Sequence, residues 1–375
     1  MAGTILTYLK DFGDYSLKEK AFNEVDALIL CELAYLKFDD LVPNVNYDVP
    51  PVELKWIASN PQKEDLFSDE RYEKVNRELF GAVTKSRRFG GLRVGAYVNL
   101  LEKDWETQFS AVTFYLQDGS AFLAFRGTDE SLVGWKEDFN MTFLSPIPSQ
   151  HCALKYFYIM AGRFQGPLLL GGHSKGGNLA TFAAMNCDPG LQKRIQKIYN
   201  MDGPGFRPEI LRGNAYDGIR NRRIKILPRS SVIGMLFEQE GDYHVVESSK
   251  RGIFQHDPFS WLVEEDHFLE AEGLREGWAF FDQTINEWIT SLTMDERKAF
   301  ISALFQILEG SNARDLIELG GDLRRSMHGM AKTMKNMDAA TAKMMEAMLK
   351  RFLEIAGTKA LKELGSRIIR EKSPQ

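Results

Sequence analysis

Cysteine is scarce: the 375 residues hold three, at positions 31, 152 and 187. Three scattered thiols do not make a disulfide framework or a four-ligand structural zinc site. Long apolar runs are missing too. None reaches the roughly 18 residues of a membrane span, so no transmembrane segment is expected. The N-terminus lacks the basic start and apolar stretch of a secretory signal, and a cytoplasmic chain is the expectation. Positive charge is not in excess: 47 Lys and Arg stand against 52 Asp and Glu, a net charge of −5. A generic nucleic-acid binder shows the opposite balance, so nucleic acid is not an expected partner. There is no internal repeat and no low-complexity linker.

What is present is a core-forming composition, 44% apolar and 26% charged, which argues for a packed globular chain. Charge divides unevenly along it. Residues 291–375 carry 15 basic and 11 acidic side chains, while the rest carry 32 and 41. Two regions are expected, one of residues 1–290 and a helical extension of residues 291–375. Within the first, residues 16–40 read as a helix, with Val25, Ile29, Leu33 and Leu36 at helical spacing and Ser16 and Glu19 spaced as a capping box. Residues 42–62 read as loop with one short helical turn, and residues 66–86 as a second helix with Leu66, Tyr72, Val75, Leu79 and Val83 inward. From residue 91 the period becomes two. Ala111–Leu116 and Ser120–Phe125, joined by Gln117-Asp118-Gly119, form a hairpin signal. Further strands are expected at 167–170, 194–201, 223–227 and 243–248, with helices at 150–165 and 178–185. Strands alternating with helices indicate an α/β sheet.

The sharpest motif lies where the apolar run 167–170 meets a small-residue helix: Gly172-His173-Ser174-Lys175-Gly176, the G-x-S-x-G pattern. Its serine sits on a tight strand-to-helix turn that lifts Oγ clear of the sheet. The flanking glycines are required because a Cβ there would meet neighbouring backbone. The helix that follows aims its first N–H groups at the reacting oxygen. Upstream, Phe125-Arg126-Gly127-Thr128 follows a strand, with Trp135 and Asp138 beyond it. Arg126 and Asp138 read as a structural ion pair that holds this loop.

These motifs, together with Asp202-Gly203-Pro204-Gly205-Phe206 and the segment Gln255–Trp261, carry a resemblance over residues 20–290. The chain resembles the class 3 lipases of the α/β-hydrolase fold, and more closely a bacterial lipase-like branch of them. The resemblance implies an α/β-hydrolase fold, a mostly parallel central sheet with helices on both faces, and the helical extension lies outside it. It implies that the backbone N–H groups of Thr128 and Lys175 form an oxyanion hole. The expected substrate is a small-molecule or lipid ester, and the expected activity is that of a serine esterase needing no metal or organic cofactor. The runner-up is a hydrolase-fold scaffold without efficient turnover.

The triad order in this fold is Ser, acid, His. Of six histidines, His151 precedes the nucleophile, His173 lies inside the elbow, His244 falls in a strand and His328 lies in the extension. His256 follows the last strand through a loop and is the expected general base, with His267 the fallback. The alternative for His256 is a loop histidine bonded to Asp257. Class 3 lipases usually place the acid after the strand corresponding to 223–227, but Pro228–Gly234 contains no carboxylate. Asp202, at the end of the preceding strand, is favoured over Glu238, Glu240 and Asp242 because a strand end orients an imidazole rigidly. A turn-forming role for Asp202 is its competitor. Segments 42–62, 129–150 and 204–222 are the lid candidates.

Seven of the 14 methionines fall between Met327 and Met348 of the extension. Leu323, Met327, Met330, Met334, Met337, Thr341, Met344 and Met348 alternate spacings of four and three, a heptad-like seam. Three partners compete for it: the chain's own hydrolase region or its helix at Phe300–Leu308, which rank first; a second copy, giving self-association; and a lipid surface touched transiently, which ranks last because the polar face is mixed in sign.

Overall fold

The computed structural model describes residues 2–68, 72–129, 132–142, 144–211, 214–237, 243–275, 284, 286–310 and scattered positions between 341 and 355. By their internal contacts these form two units. The first comprises residues 1–128 and 148–275, the second 129–147 and 276–375.

The first unit is built on an eight-stranded sheet whose strands lie side by side in chain order. Strands β1 (Val52–Glu53), β2 (Arg93–Glu102), β3 (Thr107–Tyr115) and β4 (Ala121–Phe125) are antiparallel neighbours. The expected hairpin is there, pairing Ala111 with Phe125 and Tyr115 with Ala121. Its turn uses Gly119 at φ 87°, where a side chain would be strained. Strands β5 (Leu168–His173), β6 (Ile195–Met201), β7 (Arg223–Pro228) and β8 (His244–Val246) then run parallel to β4 and to one another. Parallel neighbours need crossovers, and helices supply them: α6 (Pro148–Arg163) before β5 and α7 (Lys175–Asn186) after it.

Side chains alternate along β4 between two cores, as a strand covered on both faces requires. Phe122 and Ala124 enter one core with residues of α1 (Ile5–Phe12), α2 (Glu24–Leu33) and α4 (Glu73–Lys85). Ala121, Leu123 and Phe125 enter the other, with α6 and α7. All five are fully buried, and each large one contributes about 1.5–3 kcal/mol of hydrophobic stabilisation.

Four local expectations change. The helix expected over 16–40 is only α2. Ser16 does bond Glu19, through backbone and hydroxyl at 2.8 and 2.7 Å, but that closes a turn. The helix starts instead at Asn23, which makes a reciprocal capping box with Asp26. Asp26 is fully buried and grips the equally buried Arg88 through both carboxylate oxygens, an anchor that hydropathy could not place. Residues 5–12, given no helix by the sequence, form α1. The loop 42–62 holds its expected helical turn as α3 (Leu54–Ser59) but also β1, and the helix expected over 66–86 is α4, with Leu66 in a 3₁₀ turn (Pro61–Phe67) ahead of it. The inner face of α4 is Asn76, Leu79, Phe80 and Val83, and Val75 is only half-buried.

In the second unit, α5 (Leu132–Asn140) packs with the long helix Met294–Gly310. Phe139 meets Phe305 edge-on at 5.7 Å, and Arg297 donates to the Thr142 carbonyl at 2.6 Å. Leu323 to Met337 of the methionine seam lie outside the described residues. Of its remainder, Met348 is buried and Met344 half-buried, while Lys343 and Lys350 are exposed. Trp288 donates its indole N–H to the Met348 carbonyl at 3.0 Å. Among the described residues, no helix is long and apolar enough to cross a membrane.

Candidate active site

Ser174 stands between β5 and α7 at φ 56°, ψ −133°. That conformation costs a non-glycine residue about 1–3 kcal/mol, so the surroundings must impose it. The Ser174 N–H donates to the Met201 carbonyl at 2.9 Å, and its own carbonyl accepts from Gly177 N–H at 3.0 Å. The two motif glycines are needed for the reason the sequence suggested. A Cβ on Gly172 would collide with the Gly176 backbone, and one on Gly176 with the Phe125 carbonyl. Strand, elbow and helix therefore press together with no room for a side chain.

His256 ends a 3₁₀ turn, Gly252–His256. The turn is fixed from inside by buried Gln255, whose amide oxygen accepts from Ser230 N–H at 2.7 Å and whose NH₂ donates to the Lys250 carbonyl at 3.0 Å. Trp261, fully buried, donates its indole N–H to the Gln255 carbonyl at 2.8 Å. So held, His256 places Nε2 3.0 Å from Ser174 Oγ and Nδ1 2.6 Å from Asp202 Oδ2. An ionised carboxylate only accepts hydrogen bonds. Nδ1 therefore carries the proton, and Nε2 presents a lone pair to the serine hydroxyl.

Asp202 is fully buried just beyond β6 at φ 51°. Its backbone does turn there, but Asn200 caps that turn by accepting from Gly203 N–H at 2.8 Å. The Asp202 carboxylate reaches outward to His256 and to Ser231, whose hydroxyl donates to Oδ1 at 2.5 Å. Asp257, the competing partner for His256, accepts instead from Phe259 N–H at 3.1 Å and Lys250 Nζ at 2.5 Å.

Thr128 follows β4 through Gly127, where a Cβ would run into Tyr35, the His173 carbonyl and the Ser174 Cβ. The backbone leading to Thr128 thus passes against the serine. Lys175 opens α7, where first-turn N–H groups have no acceptor within the helix. Its side chain is buried, and Nζ donates at 3.0 Å to both the carbonyl and the amide oxygen of Gln108. Nearby, Arg126 is buried and donates to Asn99 Oδ1 at 3.1 Å.

Beneath the elbow, His173 is buried, its ring 4.7 Å from that of His256. Its Nε2 lies 2.9 Å from the His256 carbonyl and so carries the proton it donates there. Burial first, and the neighbouring His256 second, push the His173 pKa well below the ordinary value. Glu32 Oε1 lies 3.6 Å from His173 Nδ1, and burial followed by repulsion from Asp257 pushes its pKa well up. The two are in ion-pair range, yet both shifts favour the neutral forms, and a neutral contact is the consistent description.

The remaining candidates sit elsewhere. His267 is half-exposed beside Asp266 at 3.6 Å, and His244 is exposed beside Glu270 at 3.7 Å. His151 is exposed on α6. Glu238, Glu240 and Asp242, like His328, lie outside the described residues. Sequence reasoning missed Ser231, Gln255 and Glu32; nothing in local spacing ties them to positions tens of residues away. Among the described residues, no group of three or more His, Cys, Asp or Glu side chains is placed to hold a metal ion.

Residues 83–306 match the protein family described as Mbeg1-like. Among solved structures, the crystal structure of M37 lipase matches at 14% identity and a TM-score of 0.36, covering 57% of this chain and 69% of that one. No curated protein matches.

Proposed function

The chain belongs to the Mbeg1-like family, a lipase-like branch of the α/β hydrolases, and from that premise we propose that it is a serine hydrolase of carboxylic esters. The observation that carries this is the continuous contact Ser174 Oγ–His256 Nε2, His256 Nδ1–Asp202 Oδ2, at 3.0 and 2.6 Å.

In the proposed reaction, Ser174 Oγ attacks the ester carbonyl while His256 Nε2 takes its proton. Asp202 keeps the imidazole in the tautomer that can accept, and balances the imidazolium once formed. The backbone N–H groups of Thr128 and Lys175 stabilise the oxyanion, each worth about 3 kcal/mol. His256 returns the proton to the leaving alcohol, and the acyl group remains on Ser174. Water, deprotonated by the same histidine, then releases the acid. The proposed partner is an ester, small or lipid.

The scaffold reading drew on the absence of a carboxylate in Pro228–Gly234. The contact of Asp202 with His256 supports the enzyme reading over it. Ser174→Ala is expected to abolish turnover of short p-nitrophenyl esters and labelling by a fluorophosphonate. A variant that still turns over at the parent rate ends the proposal. Failure of the parent chain to label points to the scaffold.

A further inference from the structure

The carboxylate of Asp202 is held from two sides, and only one side belongs to the triad. Oδ2 meets His256. Oδ1 accepts from Ser231 Oγ at 2.5 Å, and both Asp202 and Ser231 are buried. Ser231 comes from a different strand end, in the turn after β7, where its N–H donates to the Pro228 carbonyl at 3.0 Å.

That turn is braced toward Asp202. The Ser231 hydroxyl oxygen also accepts from Gly234 N–H at 3.1 Å, so its own proton is directed to the carboxylate. The Gly234 carbonyl in turn accepts from Lys225 Nζ at 2.6 Å, a lysine fully buried in β7. A Cβ on Gly234 would collide with Asp202 Oδ1 and Ser231 Oγ. Residues 231–234 therefore close against the acid as a fitted wall. A buried carboxylate on a residue at positive φ has few other ways to keep one orientation.

Resting on the triad proposed above, we propose that Ser231 is a positioning residue for catalysis: it fixes the Asp202 carboxylate for His256.

The test is ester turnover by the full chain in four forms: parent, Ser231→Ala, Asp202→Asn and the double variant of these two. Ser231→Ala is expected to lower kcat about tenfold with KM little changed, one hydrogen bond being worth roughly a factor of ten. Asp202→Asn is expected to lower kcat far more, and adding Ser231→Ala to it should bring no further tenfold loss. A merely structural serine would show the same loss in both backgrounds. Parent-like kcat in Ser231→Ala, or multiplying losses, overturns the proposal. Asp202→Asn at the parent rate would instead sink the triad reading. Thermal midpoints identify any unfolded form. If Ser231→Ala fails to fold, Ser231→Cys, which keeps a side chain there but only a weak donor, takes its place in the same comparison.

Discussion

Glu32 is a carboxyl group placed where ionisation is expensive, between His173, the neighbour of Ser174, and the core. Its folded pKa lies well above 4.5, so linkage fixes the sign of its effect. Below about pH 4.5 the carboxyl is protonated in both states and costs nothing. Above it the unfolded chain ionises first, and stability is lost as pH rises towards the folded pKa. Glu32→Gln removes that loss. The variant is expected to melt several degrees above the parent at pH 8 and within a degree or so at pH 4.5, at roughly 2–4 °C per kcal/mol. Equal shifts at both pH values would show that the residue is ionised in the fold. Residues of this kind mark the limit of legibility at this scale. Ser174, His256 and Asp202 could be selected from motif, chain order and strand ends, which are local signals. Ser231 and Glu32 act on the same site across 29 residues to Asp202 and 141 to His173, and a lone serine or glutamate carries no mark of its partner.

At the scale of elements, glycines separate what a helix needs from what the elbow needs. Gly81 lies inside α4, and a Cβ there meets nothing within 4 Å. Gly81→Ala is expected to raise stability by about 0.5–1 kcal/mol through helix propensity alone. Gly176 is also helical, but its Cβ would enter the Phe125 carbonyl. Gly176→Ala is expected to lose at least about 3 kcal/mol or fail to fold, because strand backbone cannot yield as a flexible side chain can. Urea midpoints of the two variants check the pair; a stable Gly176→Ala would mean the elbow tolerates expansion. The same contrast explains which elements the sequence disclosed. The hairpin at 111–125 and the run from β5 into α7 carry dense local signals of period, turn glycine and motif. Helix α2 is buried from Val25 to Leu33 without interruption, so it has no amphipathic stripe to bound it. The Ser16–Glu19 spacing was a real bond at the wrong place. Strand β1 has two residues, too few for any periodicity.

At the scale of the whole molecule, the second unit is discontinuous, and this has a consequence for unfolding. Residues 129–147 leave the first unit after Thr128, and α5 within them packs with helix Met294–Gly310, more than 150 residues onward. Composition could mark the C-terminal region as different, through its charge balance and methionines, but not that an internal segment would join it. Only long-range packing creates that partnership: Phe139 on Phe305, and Arg297 on the Thr142 carbonyl. A unit closed through few elements should respond as a unit when one anchor is removed. Phe305 is almost fully buried, and Phe305→Ala is expected to cost about 3–5 kcal/mol within it. The expected result is two calorimetric transitions, one lowered by the substitution and the other unmoved. Tryptic cleavage at Lys136, in α5, should accelerate in parallel, since loss of the aromatic contact frees the segment from its helix. A single transition shifted as a whole would mean that the chain unfolds as one cooperative body despite its two sets of contacts. Two transitions with an unchanged cleavage rate at Lys136 would mean that α5 is held by something other than the Phe139–Phe305 pair.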